Sequence, residues 1–133
     1  MVDQRTPVLV GVGQFTERLG EPDYRGMSAV ELATEAARAA VADCGGRDVA
    51  AAIDTVAGVR QFEISGLAPA PLGKSDNYPR PVARRIGADP RRAVLEVIGG
   101  QSPQRLVTEF AGAIAAGEAD VVLVMGSENT STL

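Results

Sequence analysis

Four short apolar runs divide the chain into regular segments. They are rich in β-branched residues and lie at 7–13 (beginning PVLVGV), 55–60 (TVAGVR), 92–98 (RAVLEVI) and 120–125 (DVVLVM). Continuous apolar runs of this length, without strict alternation, are typical of strands that are buried on both faces of a parallel sheet. The pattern therefore predicts four buried strands.

A helix is predicted between the first two runs. Ser28 and Glu31 form the S-x-x-E capping box, in which each side chain satisfies the backbone N–H of the other residue. Apolar positions then recur at helical spacing as far as Val41. Gly45 and Gly46 follow, and glycine supplies the left-handed conformation that ends many helices.

Shorter helical signals separate the remaining runs. One helical turn is predicted at 49–53 and a short helix at 81–86. Ser102 suits an N-cap and Pro103 the first position of a further helix that ends near Gly117. The resulting order β-α-β-α-β-α-β predicts an α/β fold with a mostly parallel sheet, in one domain over residues 1–133.

Composition narrows the possible functions. The net charge of −4 leaves no basic stripe for phosphates, so we expect no nucleic-acid partner. The absence of histidine removes the commonest general base. Cys44 is the single cysteine, which excludes an internal disulfide and fits a reducing compartment. No signal peptide or membrane-length apolar run is visible, so we expect a cytoplasmic protein with no membrane contact.

Two glycine-containing turns resemble known motifs without completing them. Gly11 and Gly13 begin a dinucleotide fingerprint, but Thr16 stands where its third glycine belongs, so we interpret them as structural glycines. The turn 100–104 resembles a nucleophile elbow, yet it lacks the final glycine and the chain has no histidine for a triad. We therefore interpret Ser102 as an N-cap.

Other reactive side chains have simpler interpretations. Cys44 lies near the carboxyl end of a helix, where the dipole does not favour a thiolate, and is interpreted as a small packing residue. Glu96 and Glu128 lie in or just after strands, where a carboxylate usually pairs with a backbone donor or an arginine. Five arginines in 80–92 are able to meet coenzyme phosphates, but a solvated face is the simpler interpretation. The proline-containing stretch 63–81 is predicted to be a long loop, and no metal-binding cluster is evident.

The order of these segments resembles the amino-terminal half of the thiolase superfamily, especially bacterial acetyl-CoA acetyltransferases and thiolase-like proteins. The resemblance covers nearly the whole chain and less than half of a thiolase. It rests on TPVLVGVGQFTER, SAVELATEAARAAVADCG, DVAAAIDTVAGV, NYPRPVARRIGADPRRAVLEVIGG and QSPQRLVTEFAGAIAAGEADVVLVMGSE.

The resemblance implies both a topology and a site. It implies strand order 3-2-1-4 in an incomplete half, which lacks the family's fifth, antiparallel strand. It also implies that Gln101 occupies the position of the nucleophilic cysteine, so that no catalytic residue is assigned and Gly100, Gln101 and Ser102 line the remnant of an acyl pocket. The family's histidine and second cysteine belong to a carboxy-terminal half that this sequence does not contain.

Two hypotheses of function follow from the resemblance. The first is a fragment or truncated member of the acyltransferase family, whose relatives act on coenzyme A thioesters in lipid metabolism, with acyl-CoA as the possible substrate, no tightly bound cofactor and no activity in this chain alone. The second is a non-catalytic thiolase-like subunit or binding module that acts through oligomerisation. The expected partner is the missing carboxy-terminal half or a second copy, bound through the strand at 93–98 in a dimer, and a second exposed edge is expected beside 120–125.

Overall fold

The computed structural model describes residues 1–45, 48–62, 72–73 and 75–130. Along the chain its elements are α1 (Ala29–Asp43), α2 (Val49–Ala52), β1 (Thr55–Val59), α3 (Pro79–Arg85), β2 (Arg92–Glu96), α4 (Ser102–Ala115) and β3 (Val122–Met125).

The three strands form one parallel sheet in the order β2-β1-β3. Successive side chains of β1 enter different cores because strand residues alternate between faces. Val56 packs with Tyr78 and Val82 among residues of α1 and α3, whereas Ala57 packs with Leu106 and Phe110 of α4. The sheet is therefore a middle layer with α1 and α3 on one face and α4 on the other, which confirms the predicted α/β class.

The predicted strand at 7–13 is wrong, and with it the predicted order 3-2-1-4. The described sheet has three strands, and the run at 55–60 pairs directly with the run at 120–125. Val8 and Leu9 are 72% and 83% exposed. The remaining three runs form strands where they were predicted, in the order third, second, fourth.

The backbone of the 7–13 segment is fixed to α1 instead of to a strand. A side chain at Gly13 would collide with the backbone oxygen of Ala36, so its backbone lies directly on the helix. The N–H of Val12 donates to the carboxylate of Asp43 at 2.9 Å. These contacts explain the two glycines of the G-x-G sequence as close-approach positions, in agreement with their structural interpretation.

The capping box at the start of α1 is confirmed. The Ser28 N–H donates to Glu31 Oε2 at 2.8 Å, and the Glu31 N–H donates to Ser28 Oγ at 3.3 Å. The hydrogen bond from the Ser28 backbone is the main reason why the pKa of Glu31 is lowered. Gly45 follows the helix with φ of +85°, the left-handed conformation predicted there, while Gly46 lies outside the described residues.

The other helices lie close to their predicted positions. The predicted turn at 49–53 is observed at Val49–Ala52. The helix predicted at 81–86 is Pro79–Arg85, and it begins earlier because the fixed φ of proline suits a first helical turn. Most of the predicted loop at 63–81 lies outside the described residues. Within the described ranges, no helix is long and apolar enough to cross a membrane.

Asp54 joins all three strands at their amino ends. Its N–H donates to the Val121 carbonyl at 3.0 Å, and its carbonyl accepts from the Arg92 N–H at 3.3 Å. Its carboxylate accepts from the N–H of Asp120 at 2.6 Å and of Val121 at 3.3 Å. One residue thus fixes where β2 and β3 begin relative to β1.

Candidate functional site

The turn between β2 and α4 carries the residues that the sequence assigns to an acyl pocket. Gln101 occupies the N-cap position of α4, with φ −82° and ψ −16°, and its side chain makes no capping hydrogen bond. The side-chain amide of Gln101 folds back over Gly99, where an added Cβ would lie 2.6 Å from Oε1. Gly100 and Gln101 are exposed, so this turn presents an amide at the positive end of a 14-residue helix.

Ser102 is not the N-cap that the sequence predicts. It is the first residue of α4, and its side chain is fully buried. Its hydroxyl donates to the Val97 carbonyl at 2.7 Å, which closes the turn. Pro103 therefore stands second in the helix. A buried hydroxyl that donates to the backbone also cannot act as the nucleophile of an elbow.

Glu96 and Glu128 pair as expected for isolated carboxylates at strand ends. Glu96 accepts from the Val97 N–H at 2.8 Å and lies 3.6 Å from Arg105 Nε. Glu128 accepts from the Phe62 N–H at 3.0 Å. Both side chains therefore stabilise the backbone beyond the carboxyl ends of the strands.

A second group of polar side chains, which the sequence analysis missed, lies beyond the carboxyl ends of β1 and β3. Gln61 is buried and donates from Nε2 to Ser127 Oγ at 2.8 Å. The Ser127 hydroxyl in turn donates to the Ala29 carbonyl at 2.7 Å. Asn129 is 2% exposed, and neither its side-chain oxygen nor its nitrogen has a hydrogen-bond partner in the part of the chain that the structure describes.

Tyr78 links this polar group to the core. Its hydroxyl donates to the Val59 carbonyl at 2.9 Å, and it lies beside Gly58, where an added Cβ would be 2.7 Å away. Burial, and to a lesser extent the negative charge of Glu128, raises the pKa of Tyr78. The phenol therefore stays protonated and acts as a hydrogen-bond donor. A glycine inside a strand often marks such a close approach, so Gly58 was the available signal in the sequence.

The remaining candidates do not converge on the turn. Cys44 donates from Sγ to the Ala40 carbonyl at 3.3 Å, which agrees with its interpretation as a packing residue. Arg91 donates to the Glu118 carbonyl at 2.5 Å, and Arg92 lies 3.8 Å from Glu109. These two arginines precede or begin β2, whereas Gln101 follows its other end, about 16 Å further along a five-residue strand at ~3.3 Å per residue. Among the described residues, no group of three or more His, Cys, Asp and Glu side chains is able to hold a metal ion.

Comparison with known proteins finds relatives among solved structures. The chain is 65% identical, with a TM-score of 0.79, to a monomeric SCP2-thiolase-like protein type 1 from Mycobacterium smegmatis; the match covers 98% of this chain and 25% of that one. An acetyl-CoA acetyltransferase from Syntrophomonas wolfei shares the fold at 22% identity and a TM-score of 0.60, over 88% of this chain and 27% of its own.

Comparisons with models of protein families and with curated proteins found no match. The structural relatives nevertheless agree with the fold described above. The chain spans about a quarter of the length of each of them. Its identity to the Mycobacterium smegmatis protein along almost its entire length shows that this chain belongs to the thiolase superfamily.

Proposed function

We propose that this chain supplies part of a thiolase-like scaffold, including one wall of an acyl pocket, and performs no acyl transfer by itself. The observation that carries the proposal is the exposed amide of Gln101 at the start of α4, in the position where the family resemblance implies a nucleophilic cysteine. An amide nitrogen cannot take up an acyl group as a thioester. It can donate a hydrogen bond to a carbonyl oxygen.

The turn favours binding of a polarised oxygen. Helix N-termini attract negative charge, because their first N–H groups point along the axis and the peptide dipoles add up. Gly100 leaves the approach to this helix end open, since nothing lies within 4 Å of the place where its side chain would be. The thioester carbonyl of an acyl-CoA is the ligand that we propose for this position when the scaffold is complete.

The single cysteine supports the proposed cytoplasmic location, because it requires no oxidising compartment.

The test is a thiolysis assay with acetoacetyl-CoA and coenzyme A, followed by loss of the enolate absorbance. We expect no turnover above a heat-denatured control. Gln101→Cys should not restore turnover, because the chain contains no histidine to act as the base. Turnover by the unmodified chain would refute the proposal.

A binding measurement separates a pocket wall from an inert turn. Titration with acetyl-CoA by calorimetry should give weak binding that decreases in Gln101→Ala. Gln104→Ala is the matched control, because Gln104 is also an exposed glutamine on α4 but bonds with Thr108 at 3.3 Å. Equal effects of the two substitutions would argue against a role of Gln101 in binding.

The second candidate function is a non-catalytic module that associates through β2. As the resemblance implied, β2 lies at an edge of the described sheet. The exposed Val97 extends the apolar character of this edge, and an unpaired strand edge is a template for another strand. In the proposed dimer the 93–98 segment runs antiparallel to its own copy. The Mycobacterium smegmatis relative is described as monomeric, so this candidate stands second.

Light scattering after size exclusion at micromolar concentration tests the dimer. The proposed dimer should dissociate in Leu95→Lys, because a lysine on this edge opposes strand pairing. Val107→Lys, at a half-exposed apolar position on α4, is the matched control and should leave the mass unchanged. A particle of 13.8 kDa for the unmodified chain would exclude this candidate.

A further inference from the structure

The outer edge of β2 carries backbone groups that point away from the sheet. The Arg92 N–H and the Glu96 carbonyl, at the two ends of the strand, bond to the residues that flank β1. Backbone groups of successive residues point to alternate sides of a strand. Those of Ala93 and Leu95 therefore point outward, and Val97 follows in the same alternation.

Side chains of the same chain bond to half of the groups on this edge. Asn77 Nδ2 donates to the Ala93 carbonyl at 3.1 Å. The Val97 N–H donates to Glu96 Oε1 at 2.8 Å, and the Val97 carbonyl accepts from the Ser102 hydroxyl at 2.7 Å. Of the six N–H and carbonyl groups that residues 93, 95 and 97 carry, these contacts occupy three in the described part of the chain. Both ends of the edge are therefore closed, and residue 95 lies between them.

The second polar atom of the Asn77 side chain is an acceptor without a donor. Its Oδ1 is buried and has no hydrogen-bond partner among the residues that the structure describes. The Leu95 N–H lies two residues beyond Ala93 on the same edge. A residue of a neighbouring parallel strand donates to one carbonyl and accepts from the N–H two residues further on, and a side-chain amide offers the same donor and acceptor. The Asn77 amide thus stands where a residue of another strand would pair.

The turn that carries Asn77 is fixed to the sheet by the two residues that follow it. Tyr78 is 1% exposed, and its hydroxyl donates to the Val59 carbonyl at 2.9 Å. Arg80 Nη1 donates to the Pro90 carbonyl at 3.1 Å, just before β2 begins. Because both neighbours are held by the strands, the short side chain of Asn77 loses little further conformational freedom when it bonds to the edge.

We propose that the side chains of Asn77, Glu96 and Ser102 close the outer edge of β2 and prevent it from pairing with another strand. Asn77 completes the closure by accepting from the Leu95 N–H while it donates to the Ala93 carbonyl. An open strand edge is a template for another strand, whereas a second strand at this edge has to displace the Asn77 amide and leave it unpaired. The inference does not depend on the acyl pocket, and for the unmodified chain it argues against the module that associates through β2.

The first test is hydrogen exchange of single amides, measured by NMR on the unmodified chain. The Leu95 N–H should exchange within about tenfold of the rate of the Val94 N–H, which faces β1 in the parallel pairing. An amide on an open edge would exchange far faster than its inward-facing neighbour. Fast exchange of the Leu95 N–H beside a protected Val94 N–H would overturn the proposal, and this measurement needs no variant.

Two neighbouring positions of the turn provide a matched pair of variants. Asn77→Ala should raise the exchange rate of Leu95 relative to that of Val94 by about tenfold or more, because the proposed acceptor is removed. The ratio of the two rates corrects for a general loss of stability, which accelerates both. Asp76→Ala changes the preceding, exposed residue and should alter the ratio by less than about twofold. An unchanged ratio in Asn77→Ala, or equal changes in both variants, would overturn the proposal.

Self-association measures what the closure prevents. Once circular dichroism confirms that the helices are kept, light scattering should show Asn77→Ala associating at a concentration about tenfold or more below that of the unmodified chain. Adding Leu95→Lys to this variant should cancel the increase, whereas adding Val107→Lys on α4 should not. Equal masses of Asn77→Ala and the unmodified chain at every concentration would overturn the proposal. A dimer of the unmodified chain that Leu95→Lys dissociates would also overturn it, since the edge would then be open.

Discussion

Asp54→Ala should destabilise the chain by releasing the amino end of β3. The carboxylate accepts from the N–H groups of Asp120 and Val121, and its other oxygen accepts from the Thr55 hydroxyl at 2.8 Å. Asp120 and Val121 are 66 and 67 residues away from Asp54 in the sequence, whereas Thr55 is the next residue. The alanine variant keeps the backbone bonds of residue 54 and removes the side-chain contacts.

The expected loss of stability in Asp54→Ala follows from the number of hydrogen bonds removed and from their exposure to water. A hydrogen bond to a charged group contributes about 1.5–3 kcal/mol when it is well buried. The Asp54 carboxylate is only partly buried, and water can reach the released N–H groups, so we expect a total loss of about 1–2 kcal/mol. At a urea m-value of about 1–2 kcal/mol/M, the unfolding midpoint should fall by roughly 0.5–2 M. Asp23→Asn, at an exposed position, is the control and should change stability by less than about 0.5 kcal/mol.

The same contacts predict the dependence of stability on pH. Burial alone would raise the pKa of Asp54, but hydrogen bonds from Asp120, Thr55 and Val121 outweigh it and hold the pKa below the ordinary value of 3.8. A lowered carboxyl pKa adds stability above the unfolded-state value, and this stability is lost as pH falls through the folded-state value. The difference between the unmodified chain and Asp54→Asn should therefore be constant above about pH 5 and shrink below about pH 4.

Urea unfolding followed by circular dichroism at several pH values measures both effects. Equal stability of Asp54→Ala and the unmodified chain at pH 7 would refute the assignment of Asp54 as the joint between the strands. A difference for Asp54→Asn that persists unchanged to pH 2 would refute the electrostatic part of the argument.

Three further substitutions test the packing of two glycines and one buried hydrogen bond. Gly13→Ala should lower the free energy of unfolding by about 1–3 kcal/mol, because the added methyl group meets the backbone of α1. Gly112→Ala, in an open position of α4, should raise it by about 0.5–1 kcal/mol. Thermal unfolding of both variants measures these changes, and an unchanged stability of Gly13→Ala would contradict the close approach. Tyr78→Phe should cost about 1–2 kcal/mol, because the Val59 carbonyl loses its buried donor, and denaturant unfolding at pH 7 measures the loss; an unchanged midpoint would show that this hydrogen bond is dispensable.

The sequence predicted the elements whose signals are local. The capping box needs only Ser28 and Glu31, and the three runs that became strands carry their apolar pattern within four or five residues. The 7–13 run has the same pattern and did not become a strand. Strand formation needs a partner in space, and the pattern of one segment does not specify that partner. The glycines of this segment, which lie against α1, were the local sign of its different role.

The candidate site was likewise predictable only where its signals are local in the sequence. The turn at Gly100 and Gln101 lies where the strand, the glycine pair and Pro103 placed it. The prediction of Ser102 as an N-cap was wrong. Its hydroxyl can hydrogen-bond either to the helix N–H groups or to the Val97 carbonyl, and the path of the turn determines that it bonds to the carbonyl. The bond between Gln61 and Ser127 joins residues 66 positions apart, so no spacing rule reveals it.

The polar groups beyond the carboxyl ends of the strands favour binding over transfer. Open parallel sheets bind ligands at this edge, and here the described edge carries amides, a hydroxyl and a phenol: Gln61, Tyr78, Gln101, Ser127 and Asn129. None of these groups exchanges a proton readily near neutral pH. The nearby carboxylates of Glu96 and Glu128 accept hydrogen bonds from the backbone N–H groups of Val97 and Phe62. An edge built from such groups can orient a carbonyl, but acyl transfer also needs a nucleophile and a base, which supports the proposal that any such chemistry requires residues from elsewhere in a thiolase-like assembly.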